Sequence, residues 1–148
     1  MFYVKQLMRP QVLTIKPQTT LSEVWQILSK RHVHALPVVD KNKILLGIVS
    51  EEDVLETLFP GYKEMSYGFP STEDEEEMSD KLQEMRDVRA EKFMNVRVIF
   101  TKPNTNIMRA LSRMLVNRVR QLPVVNDENQ VIGIISKADI VRGLLKRK

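Results

Sequence analysis

The chain repeats itself at a fixed offset of 86 residues, and this repeat limits the fold more than any other feature of the sequence. The segment Gly47-Ile-Val-Ser-Glu-Glu-Asp53 returns as Gly133-Ile-Ile-Ser-Lys-Ala-Asp139. The same offset aligns Leu36-Pro-Val-Val39 with Leu122-Pro-Val-Val125 without a gap. Because the register is kept over this distance, the sequence predicts two copies of one structural unit.

Both copies predict the same order of elements: strand, helix, strand, strand, helix. Residues 12–15 are an apolar, β-branched run that predicts the first strand. Thr20 and Glu23 then have the spacing of a capping box, and Asn106 takes the capping position in the second copy. Apolar residues at helical spacing follow each cap: Leu21, Val24, Trp25 and Leu28, then Ile107, Ala110, Leu111 and Met114.

The predicted fold class is therefore mixed α/β, of the α+β type, with two pseudo-symmetric units. A unit of about fifty residues is marginal alone, so we expect the two to pack together through their sheets or helices. The predicted boundaries are 1–59 and 89–148, joined by a segment at 60–88 that does not repeat.

The joining segment is strongly acidic. Between Thr72 and Glu91 there are nine acidic and three basic residues, although the whole chain carries a net charge of +4. This charge run predicts an exposed helix from about Ser79 to Arg89, and its consecutive glutamates lack the spacing of a calcium-binding loop. Three aromatic residues beside it are candidates for docking on a partner: Tyr62, Tyr67 and Phe69.

Composition disfavours several classes of function. The chain has no cysteine, only two histidines and no Gly-rich phosphate loop, so the sequence predicts neither an enzyme, a metal site nor a resident cofactor. No apolar run approaches the ~20 residues that span a bilayer, and the first ten residues lack the apolar core of a signal peptide. We expect a cytoplasmic protein with no membrane partner. The basic residues are dispersed apart from the C-terminal LLKRK, which makes nucleic acid an unlikely partner.

Two copies of LPVV, each followed by Gly-apolar-apolar-Ser-x-x-Asp, resemble a pair of cystathionine beta-synthase (CBS) domains, the arrangement called a Bateman module. The resemblance covers nearly the whole chain except the joining segment. It implies a stand-alone regulatory CBS-pair protein whose clefts bind AMP, ATP or S-adenosylmethionine. With no output domain, such a chain would act through an unknown protein partner or through its own dimer. A ligand-free dimerisation or docking module, and a weak nucleic-acid binder, are the alternatives.

The repeated Ser-x-x-Asp has two interpretations. Ser50 with Asp53, and Ser136 with Asp139, have the spacing of capping boxes that need no ligand. By the resemblance, the same four residues match positions that contact a nucleotide. The helix N-terminus and the Ser hydroxyl would then meet a phosphate, and the Asp would accept hydrogen bonds from two ribose hydroxyls.

Basic residues before each LPVV strand are candidates for phosphate contact. The resemblance favours His34 and Arg120, which are equivalent at the offset of 86, and Arg118 is a further candidate. Guanidinium stays charged and can bind two phosphate oxygens, whereas histidine is mostly neutral near pH 7. The second copy is therefore predicted to be the better anion site. The alternative is that these are solvated cations at a helix end.

Adenine requires an apolar slot, for which the strand segments supply the candidates. Their other interpretation is ordinary core packing, because LPVV is an apolar strand. The candidates are Thr14, Leu36, Pro37 and Val38 in the first copy, and Phe100, Leu122, Pro123 and Val124 in the second.

The helix after each Ser-x-x-Asp turn has an apolar face that one small module is not expected to cover, which predicts a homodimer. The apolar residues are Val54, Leu55 and Leu58 in the first copy, and Ile140, Val141 and Leu144 in the second.

Overall fold

The computed structural model of the chain describes residues 1–62 and 75–146. It confirms the mixed helix and sheet class, because each repeat contains a helix, a two-stranded sheet and a second helix. A 3₁₀ turn at Ala90–Lys92 lies at the start of the second repeat. The elements are α1 (Val4–Leu7), α2 (Leu21–Arg31), β1 (Ala35–Val39), β2 (Leu45–Ser50), α3 (Glu51–Leu58), α4 (Glu75–Met85), α5 (Ile107–Asn117), β3 (Gln121–Val125), β4 (Val131–Ser136) and α6 (Lys137–Lys146).

The predicted caps of the first helix in each repeat are confirmed. The Thr20 side chain accepts a hydrogen bond from the Glu23 N–H at 3.3 Å, and the Asn106 side chain accepts one from the Met108 N–H at 2.8 Å. The Glu23 side chain accepts from the Thr20 hydroxyl at 3.0 Å and not from the Thr20 N–H, so the cap forms without the reciprocal bond of a full capping box. Each side chain thus satisfies an amide that the first helical turn leaves without an intrahelical partner.

The predicted first strand of each repeat is wrong in extent, since each is reduced to one parallel bridge, Ile15 with Val38 and Thr101 with Val124. Prolines explain the short pairing in the second repeat. The Thr101 N–H donates to the Pro123 carbonyl and its carbonyl accepts from Val125, each at 3.0 Å. Continuing the ladder would require N–H groups from Pro103 and Pro123, which proline lacks.

The helix predicted at Ser79–Arg89 is present but shifted, because α4 spans Glu75–Met85. Three glutamates in its first turn favour the earlier start, since acidic side chains stabilise the positive end of a helix. The chain after Met85 has another role. The carbonyls of Arg86 and Val88 accept hydrogen bonds from the first amides of α2, at 3.0 and 2.8 Å.

The chain forms two compact units that do not coincide with the two repeats. The second-repeat unit contains Met1–Thr14, Val39–Leu46 and Arg97–Lys148, and the first-repeat unit contains Ile15–Val38 and Gly47–Val96. The N-terminal residues of the first repeat therefore belong with the second repeat, and the first residues of the second repeat, as far as Val96, belong with the first. The predicted boundaries 1–59 and 89–148 describe the two copies in the sequence, whereas the compact units describe which residues pack together. The boundaries of the copies remain a prediction.

In the second-repeat unit, the N-terminal segment completes the core. Val4 of α1 is fully buried in a cluster with Ile107, Met114 and Leu122. Its N–H donates to the Thr105 carbonyl at 2.9 Å. Burial of an aliphatic side chain together with a backbone hydrogen bond fixes this segment on the second repeat.

In the first-repeat unit, the equivalent segment makes the equivalent contacts. Ala90 aligns with Val4 at the offset of 86 and is also fully buried, and its N–H donates to the Thr19 carbonyl at 2.8 Å. The leading segments, residues 1–10 and 87–96, are thus exchanged between the repeats.

The repeated glycines allow the leading segments to approach the sheets. A Cβ atom on Gly133 would lie 2.6 Å from Met8 Sδ and 3.1 Å from the Arg9 carbonyl oxygen. On Gly47 it would lie 2.7 Å from Met94 Sδ and 3.1 Å from the carbonyl oxygen of Asn95. Both glycines are therefore required by close backbone approach.

Candidate functional site

The first Ser-x-x-Asp turn lies where β2 ends and α3 begins. The Ser50 Oγ accepts from the Asp53 N–H at 3.1 Å, and Asp53 Oδ2 accepts from the Ser50 N–H at 2.8 Å. The Ser50 hydroxyl also donates to Asp53 Oδ2 at 3.0 Å. The predicted capping box is therefore confirmed at the first turn.

The second turn has the same backbone arrangement between β4 and α6. The Ser136 Oγ accepts from the Asp139 N–H at 3.1 Å, and Asp139 Oδ2 accepts from the Ser136 N–H at 2.9 Å. Asp139 is only 7% exposed. The predicted capping role is confirmed here too, with the carboxylate held in a more protected position.

Two arginines that the sequence reasoning missed contact the carboxylate of Asp139. Arg9 Nε lies 3.3 Å from Asp139 Oδ2, and Arg142 Nη1 lies 3.2 Å from Oδ1. Arg142 has a sequence signal, since it is three residues beyond Asp139 on one helix face. Arg9 has no local signal, because its contact depends on the exchanged leading segment.

The equivalent positions around the first turn have different chemistry. At the offset of 86, Arg9 corresponds to Asn95 and Arg142 corresponds to Glu56. The backbone is nevertheless the same. Arg9 and Ile134 exchange hydrogen bonds of 2.8 and 2.9 Å, and Asn95 and Ile48 exchange hydrogen bonds of 2.8 and 3.0 Å. The two turns therefore differ in side-chain charge on a common scaffold.

The helix that follows each turn extends this difference. The first turn of α3 carries Glu51, Glu52 and Asp53, whereas Asp139 is the one acidic residue in the first turn of α6. Lys137 occupies the α6 position equivalent to Glu51. The charges around the first turn of α6 therefore favour an anion more than those around the first turn of α3.

The cations predicted for phosphate contact lie beside the two turns. The carbonyl of His34 accepts from the Glu51 N–H, and the carbonyl of Arg120 accepts from the Lys137 N–H, each at 3.1 Å. The His34 Nδ1 also lies 4.0 Å from Glu51 Oε2. The structure thus brings each of these residues to the start of the helix that follows its strand pair.

Arg118 has a structural role at the end of α5. It is the C-cap residue in the left-handed conformation, with φ of 56°, and its N–H bonds the carbonyls of Leu115 and Met114. His32 ends α2 in the same way with φ of 53°. Contact between Arg118 and a phosphate remains a prediction.

Six of the eight candidate adenine residues lie in β1 and β3, where their alternative role in the core is confirmed, whereas Thr14 and Phe100 lie outside the strands. Leu36, Val38, Leu122 and Val124 are fully buried. Pro37 and Pro123 are buried as well, and Thr14 and Phe100 are half-buried. Phe100 lies beneath the guanidinium of Arg113, whose carbon is 5.9 Å from the ring centre. Contact with adenine remains a prediction for all eight residues.

A separate apolar cavity of about 470 Å³ lies in the first-repeat unit between α2, α3 and α4. None of the candidate ligand residues lines it. Its lining consists of Leu21, Ser22, Trp25, Gln26, Leu55, Leu58, Phe59, Leu82, Gln83 and Arg86.

Within residues 1–62 and 75–146, no three His, Asp or Glu side chains are grouped so that they could hold a metal ion. No helix in this same part of the chain is long and apolar enough to cross a bilayer.

Tyr62 is half-buried at the end of the first described range. Tyr67, Phe69 and the last two residues of LLKRK lie outside the described residues.

The comparison with known sequences is consistent with the repeat. A family model of the CBS domain matches residues 4–60 and 86–146. The uncharacterized protein MJ1426 of Methanocaldococcus jannaschii is 27% identical over 153 aligned positions, which cover 96% of this chain and 90% of MJ1426.

Solved structures resemble the whole chain. CBSX2 from Arabidopsis thaliana, crystallised with AMP, has a TM-score of 0.76 and 26% identity, covering 99% of this chain and 98% of that chain. Protein MJ1225 from M. jannaschii has a TM-score of 0.81 and 26% identity, covering 97% of this chain and 50% of that chain. This chain thus spans nearly all of some relatives and about half of others. The fold is that of a CBS-domain pair, and the chain belongs to the CBS domain family.

Proposed function

We propose that the chain is a regulatory CBS-pair module that binds an adenosine-containing ligand. The observation that carries this proposal is the second Ser-x-x-Asp turn, where a strand end, a helix N-terminus and two arginines meet around a protected carboxylate. Support comes from CBSX2, a relative of the same fold that was crystallised with AMP. AMP and ATP are the first candidates, and S-adenosylmethionine is a further one.

The proposed roles follow the chemistry of each group. Asp139 and Asp53 accept hydrogen bonds from the ribose hydroxyls, because a carboxylate offers two acceptor oxygens to a diol. Ser136 and Ser50, with the first amides of α6 and α3, face the phosphate together with Arg120, Arg118 or His34. Adenine lies against the backbone of the strand segments that contain the eight apolar candidates.

The contacts of Asp139 set a condition on this arrangement. Its Oδ2 already accepts from the Ser136 N–H and lies against Arg9, and its Oδ1 lies against Arg142. Each carboxylate oxygen has about two acceptor positions. Ribose therefore uses the remaining position on Oδ1 and displaces one arginine to use a second.

The module is proposed to be regulatory rather than catalytic and to act in the cytoplasm, through a protein partner or its own homodimer. The face predicted from the sequence is wrong for Val54, Leu58 and Ile140, which are buried within the chain. Exposed apolar residues on α5 and α6 support self-association: Met108, Leu115, Val141, Leu144 and Leu145. The α5–α6 face, defined by these five residues, is the proposed dimer contact.

Ligand binding is tested by thermal unfolding with and without nucleotide. AMP or ATP at ~100 times Kd should stabilise the native state by about 2.7 kcal/mol, a shift of roughly 5–10 °C for a chain of this size. GMP and GTP are the matched controls and should give a much smaller shift. If no adenosine ligand shifts the midpoint up to millimolar concentration, the module is ligand-free and serves in dimerisation or docking.

A further inference from the structure

The open cavity of the first-repeat unit has the size of a small-molecule site. Its volume of about 470 Å³ falls within the range of roughly 300–1,000 Å³ that such sites occupy. Three helices supply its apolar walls: Leu21 and Trp25 from α2, Leu55 and Leu58 from α3, and Leu82 from α4. Trp25 and Leu82 are 40% and 38% exposed. The walls therefore offer apolar surface that the chain leaves in contact with solvent.

This cavity belongs to the first repeat because α4 supplies its third wall. The joining segment that contains α4 does not repeat in the sequence. In the second repeat, Val141 and Leu144 are the equivalents of Leu55 and Leu58, and they are 49% and 38% exposed. The helix α4 thus makes a cavity from a helix face that stays open in the other repeat.

The backbone holds one cation of the joining segment at this cavity. The Ser22 N–H donates to the Arg86 carbonyl at 3.0 Å, which fixes the chain after α4 against the start of α2. Nη1 of Arg86 donates to Gln83 Oε1 at 3.2 Å. A guanidinium has five N–H donors, so the bond to Gln83 leaves donors for a ligand.

The charge at the cavity is opposite to that of the segment around it. Between Thr72 and Glu91 there are nine acidic and three basic residues. Arg86 is one of the three and lines the cavity, whereas no Asp or Glu of the described residues lines it. Glu76, Asp80 and Glu84 are spaced four residues apart and share a helix face that does not contain Leu82. The cavity therefore combines apolar walls with an exposed positive charge.

We propose that this cavity binds a small organic carboxylate with an apolar body, of the type of a medium-chain acyl anion. Arg86 holds the carboxylate, because a guanidinium can donate two parallel hydrogen bonds to it. The hydrocarbon lies against Trp25 and Leu55, where its removal from water supplies affinity. None of the candidate adenosine residues lines the cavity, so this second site does not depend on the proposed function.

The fluorescence of Trp25 measures binding directly, because it is the only tryptophan in the chain. The full chain is titrated with octanoate, octan-1-ol and octylammonium, which share a hydrocarbon tail and differ in the charge of the head group. We expect a saturable blue shift with octanoate and a Kd of about 1 mM or lower. Octan-1-ol should bind about fivefold more weakly, and octylammonium more weakly still, since an exposed cation contributes modestly.

Substitutions separate the head-group contact from the cavity itself. Arg86→Gln should weaken octanoate about fivefold and leave octan-1-ol within about twofold, whereas Arg86→Lys should retain most of the preference. Arg89→Gln is the matched control and should change neither affinity, because Arg89 lies in the same acidic segment, pairs with Glu91 and does not line the cavity. Ser22→Met installs the residue of the second repeat, Met108, inside the cavity and should weaken both probes.

Several results would overturn the inference in folded protein, which far-ultraviolet circular dichroism verifies for each variant. Equal affinities for the three probes would show an apolar cavity that does not select a carboxylate. Binding that Ser22→Met leaves unchanged would place the ligand elsewhere. A shift of Trp25 emission with protein concentration alone would make a second copy of the chain the occupant. Absence of a saturable change up to millimolar probe would contradict the site, whatever the result with AMP.

Discussion

In the first-repeat unit, α4 and the α2–α3 helix pair line an open cavity, and the helix after the Ser-x-x-Asp turn begins with acidic residues. In the second-repeat unit, the α5–α6 face is exposed, and arginines surround the equivalent turn. Leu145 illustrates the difference, since it is 81% exposed whereas its equivalent Phe59 is half-buried and lines the cavity. Two copies of one backbone can thus keep their hydrogen bonds while their side chains serve different purposes. The acidic turn begins a helix that α4 partly covers, and the basic turn begins a helix with an exposed apolar face.

The largest expected effect concerns the exposed helix pair. Val141→Asp combined with Leu145→Asp places two charges on the α5–α6 face, where they would have to be desolvated in a dimer. We expect the dissociation constant of the homodimer to rise at least ~30-fold, as for loss of an interface hot spot. Light scattering at tens of micromolar measures the mass.

Val96→Asp is the control for this change, because Val96 is also exposed and belongs to the other unit. It should leave the mass unchanged. A monomeric unchanged chain would contradict the homodimer, and a dimer that persists in the double variant would contradict the assignment to the α5–α6 face.

A smaller effect is expected at the glycine contact with the leading segment, which both units have. Gly133→Ala and Gly47→Ala each push a Cβ atom into a methionine and a backbone carbonyl of the leading segment. Overpacking of this kind typically costs about 1–3 kcal/mol, so each variant should lower the free energy of unfolding by ~2 kcal/mol in urea titrations.

The two glycine variants should lose similar amounts of stability, because the contacts are equivalent. Adding Met8→Ala to Gly133→Ala should cost less than the sum of the single changes, since the closest atom is then removed. Additive losses, or a loss in only one repeat, would argue against a common leading-segment contact.

The smallest expected effect concerns the stability of the ligand-free protein. It compares removal of the aspartate at the acidic first turn with removal of the aspartate at the basic second turn. Asp53→Ala keeps the Ser50 cap but removes the carboxylate that accepts from the Ser50 N–H, and it should lower the free energy of unfolding by about 1 kcal/mol. Asp139→Ala removes the equivalent acceptor for the Ser136 N–H and also two ion pairs to partly exposed arginines, so it should cost up to about 1 kcal/mol more.

Salt provides the internal check for the aspartate pair. The difference between Asp139→Ala and Asp53→Ala should shrink in 1 M salt, where the Debye length is only about 3 Å. If both variants lose the same free energy of unfolding at low salt, the ion pairs of Arg9 and Arg142 with Asp139 do not contribute to stability.

The sequence predicted the local features of the fold well. Thr20, Asn106, Ser50 and Ser136 all begin helices as predicted, because capping and apolar periodicity depend on residues within a few positions of one another. The strand at 12–15 and its equivalent in the second repeat were over-predicted, because pairing depends on the partner strand, where Pro123 withholds an N–H in the second repeat. The shifted limits of α4 have a similar cause, because the chain after Met85 accepts hydrogen bonds from the first amides of α2, which local sequence does not predict.

By itself, the sequence determined that the chain holds two copies of one unit, which residues cap the helices and where each Ser-x-x-Asp turn lies. Only the tertiary structure decided that each leading segment packs on the other repeat and that Arg9 therefore reaches Asp139. The physical reason is that capping and periodicity are local signals, so they cannot tell which repeat a leading segment will cover. That choice is made by long-range burial of Val4 and Ala90 and by backbone hydrogen bonds far apart in the chain.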